Sequence, residues 1–138
     1  MNTRRFDIGA GRRDELTRRL AEALKPEPDV VFAFLHGSFA RGEPFHDIDV
    51  AVYLVGASDG HGGRALDLAD RLSQSLEYPA DVRALNEAPL PFQFHVLQGT
   101  LLVSHDDERL AGFIEHVGLR YLDMAPLLRH ATREAFAR

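Results

Sequence analysis

Two short apolar runs set most of the limits on what this chain can become. VVFAFLHG begins at Val30 and DIDVAVYLV begins at Asp47. Each is rich in branched and aromatic residues, too short for a buried helix and stopped by glycine, so each reads as a buried β-strand. Between them lies the polar turn GSFARGEPFH, Gly37 to His46. The second strand therefore opens on two aspartates, Asp47 and Asp49, at the mouth of a core element, where unpaired charge is costly. Residues i and i+2 of a strand share a face, so these two project side by side. The other face, Ile48, Val50, Val52 and Leu54, is wholly apolar. One face anchors the strand while the other presents carboxylates.

The remaining elements fall around this pair. In RDELTRRLAEALKPEPD, Leu16, Leu20, Ala21, Ala23 and Leu24 stand near helical spacing, with Asp14 at the start and Pro26 and Pro28 closing the helix. Ser38 to Arg41 suits a single helical turn. Arg64 to Leu76 gives a second helix, and ADVRALN, after Pro79, a third strand. PLPFQFHVLQGT reads as a short helix with a glycine stop, and LLVSH as a fourth strand. A long amphipathic helix follows from Asp106 to the end, with a kink expected where Pro126 removes a backbone donor. The fold class is α+β, bordering on α/β: a small mixed sheet flanked by helices. The 138 residues suit one domain, 1–138, whose C-terminal helical segment starts near 106.

Composition removes several function classes. The chain has no cysteine, which excludes disulfide frameworks and cysteine-based zinc sites and agrees with a reducing cytoplasm. A net charge of -5 argues against broad nucleic-acid binding. No apolar run approaches a membrane span, and MNTRRFDIGAGRRDEL lacks the apolar stretch of a secretory signal. The histidines His61, His95, His105, His116 and His130 show no zinc-site spacing. Phe92 and Phe94 fit a core or an interface better than a base-stacking role.

Two adjacent carboxylates repel unless a cation lies between them, and hard oxygen ligands of this kind suit Mg²⁺. Taken alone, an Asp-x-Asp pair is as consistent with a cap or a solvated edge. The preceding turn adds weight. Gly37 and Ser38 follow a buried strand and open a helical turn, which exposes backbone N–H groups to an anion. Glycine permits close backbone approach, and the Ser38 hydroxyl can donate to a phosphate oxygen. The plain alternative is a tight turn that needs Gly and Ser only for its shape. Together the features suit binding of a metal–nucleotide.

The segment GSFARGEPFHDID resembles the signature of the polymerase-β-type nucleotidyltransferases, in particular the minimal nucleotidyltransferase (MNT) proteins. Gly37-Ser38, Ala40-Arg41-Gly42-Glu43 and Asp47-Ile48-Asp49 occupy the places of that pattern. The resemblance implies the polymerase-β-type fold and a nucleoside triphosphate, with ATP as substrate, bound through two Mg²⁺ ions held by three carboxylates. It makes Asp47 and Asp49 catalytic metal ligands and puts Gly37, Ser38 and Arg41 at the nucleotide. The third carboxylate lies on a neighbouring strand in the family, and Asp81 in PADVRALNEAP matches it. On its own strand Asp81 shares a face with Arg83 and Leu85, which also fits a surface aspartate near a turn. Arg41 could reach a phosphate or pair with Glu43. His36 reads as a packed, hydrogen-bonded histidine.

There are departures from the pattern. The stretch from Ser38 to Asp47 is shorter than the family's commoner form, and His46 stands where a serine usually precedes the aspartates. Pro44 and Phe45 offer a sharp turn that could still place the carboxylates, and His46 is expected at the rim.

The resemblance also implies a cytoplasmic antitoxin beside a HEPN-domain ribonuclease toxin, in a hetero-oligomer, silencing the toxin by attaching AMP to it. A second reading is an antitoxin that works by contact alone, its site weak or inactive. A third is nucleotidyl transfer to a small molecule, which 138 residues leave little room to bind. The apolar stripe Leu119, Leu122, Met124, Leu127 and Leu128 suits a core or a partner equally.

Overall fold

The computed structural model describes residues 4–136, with the side chains of 125 and 127–136 outside the description. Helix α1 (Ala10–Leu24) leads to strand β1 (Val30–His36), the short helix α2 (Gly37–Ala40) and strand β2 (Ile48–Leu54). A 3₁₀ turn (Ser58–Gly60) then precedes α3 (His61–Leu76), β3 (Ala80–Ala84), α4 (Leu90–Leu97), β4 (Thr100–Ser104) and α5 (Asp107–Phe136). The strands form one mixed sheet in the order β3-β2-β1-β4. Strand β1 runs antiparallel to β2 and β4, whereas β2 and β3 are parallel and joined by a crossover through α3. This is the α+β sheet expected from the sequence.

Each face of the sheet is covered because each strand divides its side chains by parity. Ala33 and Leu35 of β1, with Ile48, Val50, Val52 and Leu54 of β2, pack on Leu16, Leu20 and Leu24 of α1 and on Leu68, Leu72 and Leu76 of α3. The opposite face carries Phe32, Phe34 and Ala51, under Val96 of α4 and Leu110 of α5. A register shift between Val30 and Phe32 explains why Val31 and Phe32 both belong to this second cluster despite being neighbours.

Two boundaries differ from the sequence reading. Helix α1 starts at Ala10, a turn before Asp14, because the buried Arg13 belongs to its packed face. Helix α3 starts at His61 rather than Arg64, in spite of Gly62 and Gly63, because the buried His61 ring turns back toward the Val55 carbonyl, with Nε2 3.2 Å away. Helix α5 runs on through Pro126, as the sequence reading has it. Leu119 and Leu122 are exposed, and Leu127 and Leu128 lie outside the described side chains. Among the described residues, no helix is long and apolar enough to cross a membrane.

Gly99, in the turn between α4 and β4, shows how tightly this end of the sheet is closed. A Cβ there would stand 2.1 Å from the Leu35 backbone oxygen. Only glycine lets the turn lie against the C-terminal end of β1.

Candidate active site

The site begins with strand register. The antiparallel β1–β2 ladder pairs His36 with Asp49, and the parallel β2–β3 ladder pairs Asp49 with Asp81. Residues paired across adjacent strands share a face. His36, Asp49 and Asp81 therefore form one row over three strands, on the face away from α1 and α3. The row lies at one end of the sheet because β2 and β3 start where β1 stops. Asp47 stands one residue ahead of β2, so it belongs to the approach to the strand rather than to the strand itself. Asp47 and Asp49 are half-buried, and Asp81 is exposed.

Helix α2 closes directly over this row. Gly37 takes the left-handed conformation, φ 81°, and its missing side chain leaves space that Asp49 fills. A Cβ on Gly37 would lie 2.2 Å from Asp49 Oδ2. The glycine expected from the sequence to allow close approach does so, and what approaches in this structure is the carboxylate. Ser38 is half-buried, and its carbonyl accepts from the amide of Glu43 at 3.0 Å, folding the turn back on itself. Arg41, the C-cap of α2, pairs with Glu43 at 3.2 Å and 3.3 Å. Its charge also acts on Asp49, lowering the carboxyl. A cavity of about 150 Å³ opens beside His36, Gly37 and Arg41, with His95 and Gln98 on its far wall.

Electrostatics single out Asp49. Burial, then the Asp81 carboxylate, then Asp47 push its carboxyl up to about 6, against a pull downward from Arg41 and Arg83. Three acids thus crowd one position, and the nearby arginines only partly offset them.

His36 shifts the opposite way for a basic group. Burial first, and His95 second, lower it to about 4. The ring is packed as expected, edge-on to Phe92 at 5.5 Å and to His95 at 6.2 Å between centroids. It departs from expectation at Nε2, which is buried with no hydrogen-bond partner among the described residues. A folded pKa below the ordinary 6.5 means that the unfolded chain binds the proton more tightly. The stability from neutral His36 is then present above about 6.5 and lost as pH falls toward 4. His36→Phe keeps an aromatic ring and removes both the proton site and the orphaned nitrogen. It is expected to gain about 1 kcal/mol at pH 7.5 and to widen that margin by about 2–3 kcal/mol at pH 4. Urea unfolding at both values checks this, and a margin independent of pH would contradict it.

The acids suit a hard divalent cation in type, and the crowding at Asp49 is the kind that a cation relieves. As the side chains stand, no group of three or more His, Asp or Glu among the described residues is drawn close enough to hold a metal ion. The donor set suits magnesium by its chemistry, as hard oxygen ligands, and not by the closeness of the side chains as they stand.

The other sequence expectations resolve at the edges. His46 is exposed at the rim, with Nδ1 2.8 Å from the Arg4 carbonyl. Phe45 makes the sharp turn by burying its ring and bridging to Phe6 through both backbone groups, at 2.8 Å and 3.0 Å. Phe92 lies under the Arg83 guanidinium at 4.9 Å, and Phe94 stacks on Tyr121 at 3.7 Å. Both aromatics are structural here. Sequence reading passed over Arg83, which lies near the acids, and Arg13. The latter had a visible signal: it stands on the same helical stripe as Leu16, Leu20 and Leu24, and all four are buried.

Comparison with known proteins agrees with this geometry. The sequence profile described as "Polymerase beta, Nucleotidyltransferase" matches residues 18–108. A crystal structure of the toxin–antitoxin pair MntA-HepT superposes with a TM-score of 0.67 at 17% identity, covering 89% of this chain and 98% of that one. A tri-AMPylated Shewanella oneidensis HEPN toxin in complex with its MNT antitoxin gives 0.62 at 18%, covering 90% and 98%. A toxin–antitoxin structure with AMP-PNP gives 0.61 at 19%, covering 95% and 100%. No curated protein matches the chain. The fold, the Gly-Ser turn against a half-buried aspartate and the profile match over most of the sequence converge, and the chain belongs to the polymerase-β-type nucleotidyltransferase family.

Proposed function

We propose that this protein is a magnesium-dependent nucleotidyltransferase acting as an antitoxin, which moves AMP from ATP onto a HEPN ribonuclease toxin in the cytoplasm and so neutralises it. The observation that carries the reading is the row in which Asp49 and Asp81 stand level on parallel strands, with Asp47 beside them and Gly37 packed on Asp49. The structural likeness to antitoxins solved with HEPN toxins, one of them AMPylated, supports the partner and the reaction. The whole chain, 1–138, acts as one minimal nucleotidyltransferase domain with α5 as its C-terminal segment.

In this reading Asp47, Asp49 and Asp81 are the residues that would hold the magnesium ions. Magnesium, when bound, offsets charge on the attacking and leaving oxygens at the α-phosphate. The Gly37–Ser38 backbone and the Ser38 hydroxyl hold the β and γ phosphates, and Arg41 adds positive charge beside them. An acceptor hydroxyl gives its proton to solvent and forms the new bond to the α-phosphorus as the bond to the pyrophosphate oxygen breaks, and pyrophosphate leaves. Positioning and electrostatics carry such a step, so no dedicated side-chain base is required.

Co-expression with a HEPN partner, followed by intact-mass measurement of that partner, tests the proposal. A gain of one or more AMP units, lost with Asp47→Asn, is the expected result. One specific observation favours a second reading, an antitoxin that works by contact: Ile114, Leu119 and Leu122 leave apolar surface exposed along α5. A stable, neutralised complex with no mass change, indifferent to Asp47→Asn, would establish that reading and reject transfer.

A further inference from the structure

The loop that joins the Gly37–Ser38 turn to Asp47 is held by a residue far away in sequence. Arg13 of α1 is 8% exposed, yet its guanidinium meets three backbone carbonyls. Nε donates to Ile8 at 3.0 Å, Nη1 to Phe39 at 3.0 Å, and Nη2 to Glu43 at 2.9 Å. Phe39 is the buried residue of α2, and Glu43 lies in the turn that follows it. The same guanidinium lies over the rings of Phe39 and Phe45, 5.3 Å from each centroid. Asp7 stands 3.7 Å away and is largely exposed, so carbonyls and rings, not a carboxylate, meet most of this buried charge.

Those contacts are spread along the loop. Phe39 follows Ser38 directly, Glu43 is the ion-pair partner of Arg41, and Phe45 lies two residues before Asp47. The segment carries Ser38 and Arg41 at one end and Asp47 at the other. A short loop has little slack, so its path is fixed by whatever satisfies its carbonyls. Arg13 supplies a planar fork with donors in diverging directions, which a lysine ammonium cannot reproduce.

We propose that Arg13 is the positioning residue of this active site: by clamping the Phe39 and Glu43 carbonyls it sets the spacing between the phosphate-side turn and Asp47. The proposal rests on the nucleotidyltransferase reading for its functional consequence, while its structural content stands apart from it. A displacement of the loop by about 1 Å would be felt as a loss of one to two orders of magnitude in activity, because in that reading both ends of the loop would meet the same substrate.

The test compares wild-type protein with Arg13→Met and Arg13→Lys by amide hydrogen exchange, MgATP titration and, with the HEPN partner present, steady-state transfer. Arg13→Met is expected to speed exchange in residues 38–47 while leaving α3 and β3 at wild-type rates. It should weaken MgATP binding about tenfold and lower kcat further. Arg13→Lys keeps the charge and the stem, folds, and is expected to restore stability better than it restores kcat. Wild-type exchange in 38–47 with wild-type MgATP affinity overturns the proposal, as does an increase in exchange spread evenly over the chain. Full restoration of kcat by lysine would show that charge, not the fork, matters, and would overturn it too. If the wild-type protein fails to bind MgATP, the nucleotidyltransferase reading fails, and the exchange pattern alone still decides whether Arg13 holds the loop.

Discussion

Asp49→Asn is expected to abolish nucleotidyl transfer and, at neutral pH, to make the protein more stable than the wild type. The two effects have one cause. Burial and the neighbouring Asp81 and Asp47 hold the folded Asp49 carboxyl at about 6, against 3.8 ordinarily. A raised carboxyl pKa means that the folded state prefers the proton. Below 3.8 both states carry it and there is no penalty. As pH rises through the window from about 4 to 6, the folded protein is progressively destabilised, and above 6 the whole cost is present. Asparagine has the same shape and never ionises. The shift corresponds to about 3 kcal/mol, which half-burial and solvent screening reduce to about 1–2 kcal/mol. The melting temperature at pH 7.5 should therefore rise by roughly 4–8 °C, and the gain should vanish near pH 4. Millimolar magnesium is expected to raise the melting temperature of the wild type more than that of the variant. Transfer that survives Asp49→Asn would remove Asp49 from the mechanism. A stability gain that persists unchanged at pH 4 would mean that the charge is not its origin.

Gly37→Ala is the second large effect, and it works through the same carboxylate. The new Cβ would stand 2.2 Å from Asp49 Oδ2, and the backbone would keep a φ of 81° that alanine adopts only at a cost. The left-handed conformation costs about 1–2 kcal/mol. The clash is relieved if the Asp49 side chain swings away, since what it meets is the end of a short side chain and not backbone. The protein should therefore fold, less stable by about 1–3 kcal/mol, with transfer down by at least about a hundredfold because the displaced group is a proposed metal ligand. The Gly37→Ala, Asp49→Ala double variant separates the two contributions. Removing the carboxylate relieves the clash, so the double variant should be more stable than the sum of the singles implies, with no recovery of transfer. Strict additivity in stability would show that Gly37 and Asp49 do not press on each other.

Asp49 and His36 titrate against each other in their effect on stability. Acidification from 6.5 to 4 withdraws the contribution of neutral His36 while lifting the penalty at Asp49. The wild-type stability curve should then be flatter over this range than either single variant's.

The sheet was legible because its strands alternate: Ile48, Val50, Val52 and Leu54 can only be a core face, and parity then obliges Asp49 to the other side. The same parity within ADVRALN put Asp81 on a face with Arg83 and Leu85, and only the family resemblance singled it out as a third carboxylate. Strand parity says nothing about which strands are neighbours, so the level alignment of Asp49 with Asp81 emerges only from the β3-β2-β1-β4 order. The start of α3 fell at Arg64 in the sequence reading because helix propensity is poor at Gly62 and Gly63, whereas a tertiary contact of the His61 ring fixes the first turn. Arg13 was overlooked for a related reason. An arginine on an apolar stripe reads as a solvated interruption until the carbonyls that receive it, 26 and 30 residues away, are known.

The parallel pairing of β2 with β3 leaves the chain unequal in what it can forgive. The crossover through α3 can lengthen or shorten by whole turns without moving Asp81, since the ladder and not the helix fixes that residue's depth. One residue gained or lost inside β3 would turn Asp81 to the underside of the sheet and bring Ala80 or Val82 level with Asp49. Divergence among such proteins should therefore gather in the connecting helix, and the five residues of β3 should resist any change of length.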